Sequence, residues 1–154
     1  MSNTNFENLF SALSDSASIL NTHSDSCNKI IKDTQDRLVS LNIGLEYWLN
    51  NPIFRSDQKG DIGANDNSTE IIKRFGFSRL NGNWMLSVKT VRCVSGFYQG
   101  EMDCPYTNEY VDKEPEPLLD APREIRLTAL KYLPEFLDGY NQLVQKLNSD
   151  LAKN

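Results

Sequence analysis

GFSRLNGNWMLSVKTVR, residues 76–92, is the stretch that decides the fold. An Asn-Gly pair at 81–82 stands between two runs of alternating apolar and polar residues, and that pair favours a two-residue hairpin turn because both residues tolerate positive φ. The turn sets the register. With Leu80 opposite Asn83, Phe77 faces Leu86, Phe75 faces Val88 and Lys73 faces Thr90 on one side. On the other, Ser78 faces Met85, Gly76 faces Ser87 and Arg74 faces Lys89. The first side is apolar and packs inward. The second opposes two cations, which costs stability unless an anion or an acidic side chain lies between them. Arg79 and Arg92 stand at the two ends of the same hairpin.

Residues 93–117 space Phe97, Tyr98, Tyr106 and Tyr110 among glycines and a proline. This predicts further short strands, and a small antiparallel sheet of three or four strands over 70–112. Residues 113–119, acidic and punctuated by proline, read as an extended linker, since a residue before proline avoids the helical region. Its acids are candidate counter-charges for the hairpin. Upstream, 51–69 reads as a flexible loop, with no apolar residue from Arg55 onward beyond Ile62 and Ala64. Its acids do not make a calcium loop, because Lys59 and Ser68 fall at ligand positions counted from Asp57, and Gly63 does so counted from Asp61.

Both ends of the chain carry helical patterns. Leu13, Ala17, Leu20, Ser24, Cys27, Ile31, Thr34, Leu38, Leu41, Leu45 and Trp48 recur at alternating spacings of four and three. That heptad seam predicts helix over 5–50, opened by the Thr4 and Glu7 capping pair and stopped at Asn50-Asn51-Pro52. The polar run 21–26 leaves a broken pair of helices as the second form, while the uninterrupted register favours one continuous helix. Arg126, Leu130, Leu133, Leu137, Tyr140, Val144, Leu147 and Leu151 repeat the spacing. They predict a second helix over 120–152, with a kink at Pro134. The fold class is therefore α+β in one domain, 1–154, with two long seamed helices packed together and a small antiparallel sheet inserted between them.

Composition narrows the chemistry. At net charge −5 and a sequence pI near 4.9, general attraction to phosphate is weak, so no nucleic-acid partner is expected. Neither helix has the basic polar face of a membrane-surface helix, and no membrane partner is expected. The start of the chain lacks the pattern of a secretory signal, and Cys27, Cys93 and Cys104 match no paired motif, which together read as cytoplasmic. His23 with the three cysteines is formally a zinc set, but no Cys-x-x-Cys or paired histidine accompanies it. The Ser, His and Asp of NTHSDS (21–26) are helix neighbours pointing apart rather than a triad. No catalytic residue, metal or cofactor is assigned.

What these exclusions leave is a surface that works by contact. The favoured reading is a non-enzymatic protein–protein interaction module of adaptor, inhibitor, immunity or assembly type, using a surface on the central hairpin and the helix seam. Its candidate partner- or anion-binding residues are Arg74, Arg79, Lys89, Arg92, Phe97 and Tyr98, and an acidic protein surface suits them as partner. The alternative is a module responding to a small anionic ligand or nucleotide held by Arg74 and Lys89, and an enzyme with a site assembled from distant residues ranks third. A homodimer would cover whatever part of the longer first seam the second helix leaves bare.

Overall fold

A computed structural model describes residues 3–59, 68–98 and 104–153, and of residues 57–59, 97, 98, 104 and 105 it describes the backbone alone. The elements run α1 (Asn3–Ser40), β1 (Tyr47–Trp48), β2 (Phe54–Lys59), β3 (Ser68–Leu80), β4 (Asn83–Tyr98), β5 (Cys104–Pro117), a short 3-10 turn (Leu118–Asp120) and α2 (Arg123–Ala152). The fold is α+β, with a terminal helix at each end and an antiparallel sheet between them.

The hairpin forms in the register that its turn dictates. Asn81 and Gly82 take φ of 50° and 86°, and β3 pairs with β4 from Leu80–Asn83 down to Ser68–Ser95. Phe75, Phe77, Leu86 and Val88 are buried on the inward face. Against them α2 lays Phe136 and Tyr140, with ring centroids 4.7 Å apart for Phe75–Phe136 and 6.0 Å for Phe77–Tyr140. Cys27, Ile31 and Leu38 of α1 belong to the same apolar cluster.

Three segment boundaries differ from the sequence pattern. Residues 41–50 are not helical: α1 ends at Ser40, and Asn42 and Gly44 adopt left-handed φ of 50° and 68°. The pattern misleads because Leu41, Ile43, Leu45, Tyr47 and Leu49 also recur at every second residue, a strand period hidden beneath the heptad one. Tyr47–Trp48 pairs with Phe77–Gly76, and Phe54–Lys59 pairs with Lys73–Ser68, so a predicted helix end and a predicted loop together make one interrupted edge strand. Leu49 and Ile53 bridge the interruption, their amides donating to the carbonyls of Phe75 and Lys73 at 2.8 Å. Residues 60–67 of the expected loop lie outside the described residues.

The third difference is the expected acidic linker at 113–119. Residues up to Pro117 are strand, with Pro117 opposite Ser87 on β4. Proline is tolerated because β5 is an edge strand, where an N–H that faces away from the ladder can be missing without loss of a bond. The sheet thus has five strands, β1 and β2 supplying those that the hydropathy pattern had placed elsewhere. α2 continues through Pro134.

The two helices lie side by side and run in the same direction. Arg123 donates to Asn21 and Arg126 to Asn28, and farther along Leu137 shares an apolar surface with Thr34, Leu38 and Leu41. Their overlap is partial. α2 first meets α1 at Asn21, and every side chain of α1 from Asn3 to His23 is exposed.

Candidate functional site

Arg74 and Lys89 sit on the sheet face opposite the helices, whereas strand alternation puts Arg79 and Arg92 on the face of Phe77 and Leu86, and each of the four has a partner within the chain. Arg74 forms a forked pair with Glu109 of β5, Nη1 to Oε2 and Nη2 to Oε1 both at 2.8 Å, and its Nε donates to the Asn50 carbonyl at 3.3 Å. Planar guanidinium and carboxylate match in this geometry, which makes it a strong form of ion pair. The hydrogen bond holds the Glu109 carboxyl below the ordinary carboxylate range and raises the arginine further. The counter-charge for Arg74 is thus Glu109, inside the predicted sheet, rather than an acid of 113–119.

Lys89 takes a different partner. Its Nζ stands 4.4 Å from the centroid of the Trp48 ring, a cation–π contact supplied by the edge strand. Partial burial lowers its pKa, and repulsion from Arg74 lowers it further. The Trp48 ring lies on Gly76, whose missing Cβ admits it. Arg79 Nε donates to the Gly82 carbonyl at 3.3 Å, and Arg92 lies over the Tyr110 ring at 5.8 Å. Phe97 and Tyr98 pair along the backbone with Pro105 and Cys104, and their side chains lie outside the described residues.

The potential metal ligands are dispersed among different elements. His23 and Cys27 border an open apolar groove between α1 and α2, lined also by Leu20, Ile30, Leu127 and Leu130. Cys93 faces Glu109 on the sheet. Burial raises the pKa of both Cys27 and Cys93, keeping them as thiols. Among the described residues no group of three or more His, Cys, Asp or Glu side chains is placed to hold a metal ion, and no helix is long and apolar enough to cross a membrane.

A second surface is more conspicuous than the hairpin. On the bare half of α1, Phe6, Leu9, Phe10, Leu13 and Leu20 are exposed, Phe10 at 53% and Leu13 at 62%. Phe6 and Phe10 touch edge to face, with centroids 4.8 Å apart. The sequence pattern started the seam at Leu13. Carrying its spacing backward by three and then four residues reaches Phe10 and Phe6, and that step was the signal for this surface. Comparison with family models, with curated proteins and with solved structures finds no match to the chain.

Proposed function

We propose that this chain is a non-enzymatic protein-binding module, of adaptor, inhibitor, immunity or assembly type, that docks through the bare half of α1. The carrying observation is the row Phe6, Phe10, Leu13 and Leu20, exposed on one helix face in line with Ser24, Cys27, Ile31 and Leu38, which are buried. Covering a Phe or Leu side chain is worth about 1.5–3 kcal/mol, so a few such residues suffice to drive association. A cytoplasmic setting suits this reading, since Cys27 and Cys93 are free thiols.

The hairpin face ranks second, as a site for an acidic partner or an anionic ligand. A ligand on Arg74 has to displace Glu109 from a forked pair, and one on Lys89 has to compete with Trp48. Paired substitution separates the two surfaces. A purified partner should lose at least tenfold in affinity for a Phe10→Ser, Leu13→Ser chain and keep its affinity for an Arg74→Ser, Lys89→Ser chain. The reverse pattern overturns docking through α1 and moves the site to the hairpin.

A further inference from the structure

We propose that the partner of the bare half of α1 is the same segment of a second copy of this chain, the two pairing as an antiparallel coiled coil. The proposal rests on reading that half as a docking surface. The seam itself supports it: Phe6, Phe10, Leu13, Ala17 and Leu20 follow the alternating four-and-three spacing, and the series continues without a break into Ser24, Cys27 and Ile31. Those three are buried within the fold, while the residues before them are exposed. The change comes where α2 first reaches α1, at Asn21. The exposed stretch therefore continues an established helix-packing interface.

Helix propensity supports the same conclusion independently. Residues 3–23 contain four Ser, four Asn and two Thr against two Ala, with no Lys or Arg. Such a segment is a poor helix former, so its extension from the packed half of α1 gains little from propensity alone. A segment that is helical from Asn3 onward without intramolecular cover is one whose helix is completed by packing.

A second copy fits chemically. Glu7 and Asp15 are the only acids in 3–23, so the flanks carry no pattern of charges that selects a charged foreign helix. The stripe complements itself when Phe10 meets Leu20 of the second copy and Leu13 meets its Ala17, each layer recurring by symmetry. Antiparallel pairing follows from where the seam is already occupied. Beyond Ser24 each α1 is covered by its own fold, so parallel helices would bring two bodies together at one end, whereas antiparallel helices place them at opposite ends. The helix dipoles then oppose as well. In this register Phe6 of one copy reaches the level of Ser24 on the other, beside the apolar groove bordered by Leu20, Cys27 and Leu127.

Sedimentation equilibrium of the full chain tests the proposal. A monomer–dimer equilibrium is expected, with Leu13→Glu weakening it at least 100-fold while leaving the unfolding midpoint of dilute protein unchanged, because Leu13 is exposed in the monomer. A parent that stays monomeric at about 100 µM overturns self-pairing. Orientation is read by oxidative cross-linking in a Cys93→Ser, Cys104→Ser background. Phe10→Cys mixed with Leu20→Cys should form a disulfide-linked heterodimer, and Phe10→Cys alone should not. Efficient cross-linking of Phe10→Cys to itself overturns the antiparallel arrangement. A monomeric parent that binds a purified foreign protein through Phe10 and Leu13 refutes only the second copy as partner. A monomeric parent whose binding to a purified foreign protein is unaffected by Phe10→Ser and Leu13→Ser overturns the docking reading as well.

Discussion

The Tyr47 hydroxyl occupies the space where a Cβ on Gly139 would stand. The tyrosine comes from a two-residue strand and the glycine from the middle of α2, and their contact lets the ring stack on Tyr140 at 5.6 Å and lean on Phe136 at 5.3 Å. Tyr140 in turn donates to the Leu45 carbonyl at 2.7 Å, so this glycine admits the edge strand to the core.

Gly139→Ala should therefore destabilise the protein. Alanine gains about 1 kcal/mol of helix propensity over glycine, but moving the Tyr47 ring aside gives up its packing on Phe136 and Tyr140, so overpacking should cost about 1–3 kcal/mol. Tyr47→Phe in the same background should recover part of the loss. Urea denaturation decides the point, and a Gly139→Ala chain more stable than the parent would show that the contact relaxes without cost.

The depth of the core separates seam residues that the heptad pattern treats alike, Ile31 and Leu41, and buries Phe136, which the pattern leaves out. Phe136 is 0% exposed and Ile31 is 1%, whereas Leu41 is 64% exposed. Phe136→Ala should cost about 3–5 kcal/mol and Ile31→Ala about 2–5 kcal/mol. Leu41→Ala should stay within about 0.5 kcal/mol of the parent. Leu137, 40% exposed, should fall between these limits. Equal losses at Ile31 and Leu41 in chemical denaturation would restore the seam of 41–50 to the core.

Ser78 and Ser87 form a buried pair on the opposite sheet face, with Ser78 donating to Ser87 at 2.9 Å and Ser87 donating to the Met85 carbonyl. Ser87→Ala leaves a buried hydroxyl without its acceptor and should cost about 1–3 kcal/mol. Ser78→Ala with Ser87→Ala should cost less than the sum of the single changes. Additive losses in the double-mutant cycle would mean that the two hydroxyls act independently.

The Arg74–Glu109 pair should appear in the acid limb of stability. Folding lowers the Glu109 pKa, so its contribution is present above the unfolded carboxylate value, about 4.3, and is lost as pH falls through the folded value. Because Glu109 is nearly half exposed, the loss is held to about 1 kcal/mol or less. Glu109→Gln should flatten that part of the pH profile. An unchanged acid limb in the variant would mean that the pair contributes nothing net.

Lys89 provides a spectroscopic check on the same cluster. Its pKa is lowered, first by burial and then by Arg74, while Glu109 acts in the opposite direction. The charged form therefore costs stability at neutral pH, and stability recovers as pH rises from the folded value toward the unfolded one. By NMR titration, Lys89 should ionise below its ordinary value, Arg74→Gln should move it up and Glu109→Gln should move it down. Shifts of the opposite sign would place Lys89 away from both side chains.

The hairpin register was legible at single-residue level because an Asn-Gly turn couples local backbone chemistry to every pair that follows it, down to Arg74 opposite Lys89. The two terminal helices were legible for a similar reason, since a heptad spacing repeated over many residues cannot also satisfy a strand. The stretch 41–49 defeated that logic. Nine residues satisfied both periods, and the left-handed backbone at Asn42 and Gly44 settled the choice.

What the sequence by itself determined was local: the turn, the register, the helical periodicity and the presence of four cations on one hairpin. Only the tertiary structure decided which of those features are already matched. Glu109 comes 35 residues after Arg74 and Trp48 lies on another strand, so no spacing along the chain announces that Arg74 and Lys89 already have partners within the fold. The same holds for the long seam. Leu13 and Ile31 are equivalent positions in the pattern, and they differ because α2 begins to cover α1 only at Asn21. Burial depends on where a second element ends in space, whereas periodicity records only which face of the helix a residue occupies.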